Sequence, residues 1–77
     1  MDGSFDYKGI KIRFRITDNV NSGVCIVNGI EKMSRYITFY DECGNSIGVK
    51  SIYGNVEEMQ NITVQQALLW YEEMFKG

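Results

Sequence analysis

Residues 10–17 read Ile-Lys-Ile-Arg-Phe-Arg-Ile-Thr and alternate strictly between apolar and polar side chains. Successive side chains of a β-strand point to opposite faces of the sheet. The alternation therefore predicts a half-buried strand with its apolar residues on the buried face. The opposite face of this strand carries Lys11, Arg13, Arg15 and Thr17.

The next segments predict a turn, a second strand and a tight turn. Residues 18–23 are rich in turn-forming residues, and residues 24–27, Val-Cys-Ile-Val, form a short β-branched run. We expect Cys25, inside this apolar run, to lie in the core. Asn28-Gly29 follows and is a dipeptide favoured in type I′ turns.

Residues 36–52 predict a β-hairpin. Residues 36–40 alternate, with Ile37 and Phe39 on one face and the other three on the opposite face. A loop at residues 41–45 contains a glycine, and residues 47–52 form a returning strand. Across the four strands, the expected buried face consists of Ile10, Ile12, Phe14, Ile16, Ile26, Ile37, Phe39, Ile47 and Val49.

The C-terminal segment predicts an amphipathic helix. Thr63 is a favourable N-cap, and Gln66 three residues later completes a capping box. Lys76 and Gly77 suit the end of a helix. At about 100° per residue, one broad apolar arc is expected to face the sheet. It comprises Val64, Ala67, Leu68, Tyr71, Met74 and Phe75, with Trp70 at its margin.

The order of these elements is ββββα, and the 77 residues suffice for one domain. An isolated hairpin is marginal in water, whereas a meander covered by an amphipathic helix can be stable. We therefore expect a single α+β domain over residues 1–77. It would have a four-stranded antiparallel sheet with one C-terminal helix packed on one face. The other face would meet water or a partner.

Composition excludes most catalytic chemistry. The chain has no histidine, the usual general base and the commonest zinc ligand. Cys25 and Cys43 match no paired metal-ligand spacing and are too few for a secreted disulfide scaffold. There is no phosphate-binding glycine motif. We therefore expect no enzymatic activity, no metal and no cofactor.

The same features bear on location and source. No segment approaches the ~18 consecutive apolar residues of a transmembrane helix. The sequence also lacks a basic stretch followed by an apolar run, the pattern of a signal peptide. These observations predict a cytoplasmic protein with reduced thiols and no membrane association. Isoleucine, asparagine, tyrosine and lysine supply 25 of the 77 residues, which indicates an AT-rich genome such as that of a low-GC bacterium or its phage.

Charge is distributed unevenly along the chain. Residues 1–40 carry a net charge of +2, and residues 41–77 carry −4. An acidic edge opposes binding to duplex DNA, because phosphates need neutralising cations. It suits docking onto a basic surface of another protein.

This pattern favours a non-enzymatic protein-binding module as the leading hypothesis. One example is a phage or mobile-element inhibitor of a host defence or nucleic-acid-handling protein. An exposed leucine near a tryptophan can also anchor a partner or a second copy of the chain. The candidate partner-binding residues are Asp41, Glu42, Glu57, Glu58, Leu69, Trp70, Glu72 and Glu73.

The polar face of the predicted sheet supports an alternative. If the strands of residues 10–17 and 36–40 are neighbours, basic side chains lie beside tyrosines. Such a surface can bind a nucleotide or single-stranded nucleic acid, although the residues do not form the RNP pattern of an RRM sheet. A homodimer through Leu69, Trp70 or open strand edges is a third hypothesis. The candidate anion-binding residues are Lys11, Arg13, Arg15, Tyr36 and Tyr40.

Overall fold

The computed structural model describes residues 2–18 and 24–76, and it confirms an α+β fold with an antiparallel sheet. The sheet has five strands instead of four, and a short helix precedes the predicted one. The elements are β1 (Asp2–Tyr7), β2 (Ile10–Asp18), β3 (Cys25–Val27), β4 (Ile30–Tyr40), β5 (Ser46–Asn55), α1 (Val56–Gln60) and α2 (Val64–Phe75).

Strand β4 is the centre of the sheet. Its residues 32–40 pair with β5 along one edge. Because that edge is occupied, β2 and β3 share the other edge, at residues 35–40 and 30–32 respectively. β1 pairs with the far side of β2. All four pairings are antiparallel.

The core lies between one face of the sheet and the two helices. Phe39 is fully buried, and its ring contacts Phe5, Tyr71 and Phe75 at centroid distances of 6.3, 5.3 and 6.4 Å. This aromatic cluster joins the first strand, the central strand and the last helix. The buried apolar side chains are Phe5, Ile12, Phe14, Ile16, Ile37, Phe39, Ile52, Met59, Ile62 and Ala67.

The sequence patterns failed to predict β1. Its residues include aspartate and glycine, which are depleted in strands. Gly3 pairs with Phe14, and a Cβ built on Gly3 would lie 2.3 Å from Cζ of the Phe14 ring. Because Gly3 has no side chain, the Phe14 ring can lie against the backbone of β1. Lys8 and Gly9, with φ of 52° and 82°, then form the turn into β2.

The close approach of Gly3 to Phe14 predicts that a side chain at position 3 destabilises the fold. We expect Gly3→Val to lower the free energy of unfolding by about 1–3 kcal/mol, because the added atoms overpack a buried ring. Urea denaturation measures the loss. Ser4→Val is the control, since Ser4 lies on the opposite face of the same strand. Equal stability of Gly3→Val and the parent chain would contradict this packing.

The register of β5 corrects part of the predicted core. Phe39 pairs with Gly48, and a bulge between Phe39 and Tyr40 leaves Ile47 as the extra residue of β5. A Cβ built on Gly48 would lie 2.8 Å from Met74 Cε, so a glycine here lets α2 approach the sheet. Ile47 and Val49 were predicted to be buried and are exposed.

Strand β3 is also more exposed than predicted. It pairs only with the start of β4, so Cys25 and Ile26, both expected in the core, are exposed. Ile10, beside the Lys8-Gly9 turn, is exposed as well. The turn at Asn28-Gly29 is confirmed by positive φ values of 53° and 80°. Of the predicted turn at residues 18–23, Asp18 belongs to β2, and residues 19–23 lie outside the described residues.

The helix α2 begins as predicted. The Thr63 hydroxyl accepts a hydrogen bond from Gln66 N at 3.2 Å, and Gln66 Oε1 accepts one from Thr63 N at 3.0 Å. This reciprocal pair confirms the capping box. Val64, predicted to face the sheet, is exposed. Neither described helix is long and apolar enough to cross a membrane.

Candidate functional site

One face of the sheet is not covered by either helix. Since Phe14 and Phe39 point into the core, the residues that alternate with them on β2 and β4 point to the opposite side. We call this surface the open face. Its central residues are Lys11, Arg13 and Arg15 on β2, Lys32, Ser34, Tyr36, Thr38 and Tyr40 on β4, and Val49, Ser51 and Tyr53 on β5.

The open face brings together all five candidate anion-binding residues. Arg13 pairs with Tyr40, Arg15 with Thr38, and Thr17 with Tyr36. Directly opposed residues have Cβ atoms about 4.5–5.5 Å apart, so these side chains are immediate neighbours. The sequence predicted which side chains share a face, and the structure shows that the two strands are adjacent.

Two of the three basic residues of β2 keep unpaired charges. Arg15 Nε donates to Asp2 Oδ1 at 3.0 Å, and this hydrogen bond and the aspartate charge raise the pKa of the Arg15 guanidinium. Arg13 lies opposite Ser4, and Lys11 lies opposite Asp6. Within residues 2–18 and 24–76, neither Arg13 nor Lys11 forms an ion pair. Their donors are available to a ligand.

A shallow pocket of about 340 Å³ lies at the Tyr40 end of the open face. The residues that line it are Asp2, Gly3, Arg13, Phe14, Arg15, Tyr40 and Gly44. A guanidinium offers five N–H donors in a fixed planar array, which suits phosphate or carboxylate oxygens. The pocket therefore combines two guanidinium groups and a phenol ring with the Asp2 carboxylate, which pairs with Arg15 and leaves Arg13 without an ionic partner.

The loop that supplies Gly44 is held by Asp41. Asp41 Oδ1 accepts hydrogen bonds from the backbone N–H groups of Cys43 and Asn45, both at 2.9 Å. Gly44 has a φ of 85°, a conformation that glycine adopts without strain. Asp41, predicted to bind a partner, thus has a structural role in the loop beside the pocket.

The open-face arginines do not stack on the tyrosines. Among the described residues, the cation–π contact is that of Lys8 Nζ, 5.5 Å from the centroid of the Tyr7 ring. Tyr36 and Tyr40 are half-buried along β4. Because no arginine covers their rings, the rings can stack with an aromatic ligand.

The structure divides the predicted acidic surface into separate places. Asp41 and Glu42 lie in the loop before β5, whereas Glu57 and Glu58 lie on α1, directly after it. The ten residues of β5 separate these two pairs by roughly 30 Å, at about 3.3 Å per residue. One flat partner surface of small area cannot contact both pairs.

The remaining candidate partner-binding residues lie on α2. Leu69 is 54% exposed and borders a shallow groove together with Glu72, Glu73 and Lys76. Glu73 Oε2 lies 3.7 Å from Lys50 Nζ. Trp70 is half-buried and packs against the core, so it contributes less to this surface than Leu69.

Tyr53 and Lys32 also belong to the open face, although the sequence patterns did not predict them there. Tyr53 of β5 pairs with Ser34 of β4. Lys32 of β4 is flanked by Cys25 on β3 and Asn55 on β5. Partial desolvation raises the pKa of the Tyr53 phenol, and a hydrogen bond with Cys25 raises it further. The alternation of β5 could have placed Tyr53 on the open face. The predicted strand, residues 47–52, ended one residue too early to include it.

The chain was also compared with protein-family models, curated proteins and solved structures, and no significant match was found. Its function is therefore inferred from the geometry of the open face.

Proposed function

We propose that this protein is a non-enzymatic protein that binds a nucleotide or single-stranded nucleic acid on its open face. The observation that carries the proposal is the register of β2 on β4, which sets Arg13 opposite Tyr40. The same register places Lys11, Arg15 and Tyr36 on that face. Guanidinium groups bind phosphate oxygens, and tyrosine rings stack with bases of any sequence.

The charge of the open face is consistent with a single-stranded ligand. Arg13 and Lys11 can each neutralise a phosphate, while Asp2 and Asp6 on β1 limit the positive potential at one edge. Binding of duplex DNA requires a larger basic surface. A face of few cations and several tyrosines depends more on stacking, which needs unpaired bases.

Charge reversal at Arg13 tests the proposal. We expect Arg13→Glu to weaken binding of fluorescein-labelled octathymidylate by about tenfold or more, because it replaces a phosphate contact with repulsion. Fluorescence anisotropy measures the affinity at several salt concentrations, and binding to the parent protein should weaken as salt rises.

Lys76→Glu is the matched control, since it makes the same charge change at the C-cap of α2, away from the open face. Its affinity for octathymidylate should stay close to that of the parent chain. Absence of binding by the parent protein, or equal affinities for the two variants, would contradict the proposal.

We propose docking onto a larger protein with a basic surface as a second candidate function. The observation that favours it is exposed Leu69, bordered by Glu72 and Glu73 on α2. Inhibition of a host defence or nucleic-acid-handling protein by a phage-encoded chain belongs to this candidate. Glu72→Lys with Glu73→Lys should abolish co-purification of such a partner, whereas Arg13→Glu should leave it intact. The opposite pattern would assign the partner to the open face.

A further inference from the structure

The tyrosines of the open face extend well beyond the pocket at Arg13. Tyr40 and Tyr36 are four residues apart on β4, and Tyr53 on β5 lies level with Ser34, two residues further along. At about 3.3 Å per residue, the three rings span roughly 20 Å along β4. A single nucleotide in the pocket contacts only the first of them.

A basic residue lies near each end of this row of tyrosines. Arg13 is level with Tyr40 at one end, and Lys32 lies one open-face position beyond Ser34 at the other. Lys32 is half-buried and makes no ion pair with a described residue. On β2, β4 and β5, the open-face positions between these ends carry no carboxylate; they are Arg15, Thr17, Ser34, Tyr36, Thr38, Val49, Ser51 and Tyr53. The Asp2 carboxylate of β1 lies beside this row and is paired with Arg15.

From this arrangement we infer that the ligand is a single strand of several nucleotides that runs along β4, from Arg13 and Tyr40 to Tyr53 and Lys32. The inference rests on the proposed function and specifies its ligand. Phosphates at the two ends would contact the basic residues, and the bases between them would stack on the three tyrosines. Tyr53 is 58% exposed, so its ring is open to a base.

A length series of ligands tests the inference. Thymidine monophosphate, dithymidylate, tetrathymidylate and octathymidylate are titrated into the full chain by calorimetry. We expect the affinity to rise by at least about tenfold from the monophosphate to tetrathymidylate, because each stacked base adds binding free energy. The gain should level off once the strand covers the open face.

Variants at the far end of the face give the second readout. Tyr53→Ala should weaken octathymidylate binding by about tenfold and leave the affinity for the monophosphate unchanged. Tyr53→Phe is the matched control, since it keeps the ring and loses the hydroxyl that contacts Cys25. It should bind octathymidylate like the parent chain. Circular dichroism and urea denaturation confirm that both variants are folded.

The outcomes separate this inference from the proposed function. If the monophosphate binds as tightly as octathymidylate, or if Tyr53→Ala binds both like the parent chain, the extended strand is overturned and the proposed function stands. If no ligand of the series binds, the proposed function fails, and the inference fails with it.

Discussion

Replacing Phe39 by alanine should lower the free energy of unfolding by about 3–5 kcal/mol. The Phe39 side chain is 0% exposed, and its ring contacts rings from β1 and α2. The truncation removes buried apolar area and leaves a cavity, and it also ends favourable edge-to-face contacts between aromatic rings. These contacts join the two ends of the chain to its central strand.

The loss is large relative to the stability of a small domain, which is commonly about 5–15 kcal/mol. Urea denaturation followed by circular dichroism measures it. Val49→Ala is the matched control, because Val49 lies on the open face of the same hairpin and is exposed. That variant should lose less than about 1 kcal/mol.

A conservative variant keeps the Phe39 prediction testable if the alanine variant does not fold. Phe39→Leu retains most of the buried volume, so its free energy of unfolding should lie between those of Phe39→Ala and the parent chain. Equal losses for Phe39→Ala and Val49→Ala would show that the aromatic cluster is not the main source of stability.

Local patterns predicted the elements whose signals lie within one segment. The strict alternation of residues 10–17 determined β2 and both of its faces, and the spacing of Thr63 and Gln66 determined the start of α2. In each case the pattern that predicts the element lies within one short segment of the sequence. The same is true of the Asn28-Gly29 turn, whose φ values follow from its residue types.

The elements that were missed depend on contacts between distant residues. The Gly3–Phe14 contact explains why a glycine-containing segment can form β1. The helix α1 is only five residues long, and its buried side chain is Met59. Which side chains of β5 face the helices depends on the bulge at Ile47, between the partners of Phe39 and Tyr40, and no pattern within β5 reveals this bulge.

The candidate site was likewise predictable only where the pattern lies within one strand. Alternation predicted that Arg13 and Arg15 lie on the polar face of their strand, and that Tyr36 and Tyr40 lie on the polar face of theirs. Their adjacency depends on the pairing of β2 with β4, although β3 lies between them in the chain. The acidic pairs Asp41-Glu42 and Glu57-Glu58 are separated in space because the extended strand β5 lies between them.

Replacing Arg35 by alanine should lower the free energy of unfolding by about 2–3 kcal/mol. Arg35 lies on the helix-facing side of β4, opposite Ile52, and its side chain is 15% exposed. Its Nη1 donates a hydrogen bond of 2.8 Å to the backbone oxygen of Met59 in α1. A hydrogen bond from a charged donor contributes more than one between neutral groups. The substitution therefore weakens the attachment of α1 to the sheet.

The ion pair of Arg35 should contribute much less. Its Nε lies 3.1 Å from Asp18 Oδ1 without hydrogen-bond geometry, and the Asp18 side chain is 78% exposed. Water and salt screen such a pair, so Asp18→Asn should cost less than about 1 kcal/mol. Urea denaturation compares the two variants, and hydrogen exchange should show faster opening of α1 in Arg35→Ala alone. Equal costs would assign the role of Arg35 to the ion pair, and unchanged exchange in α1 would contradict its attachment through Met59.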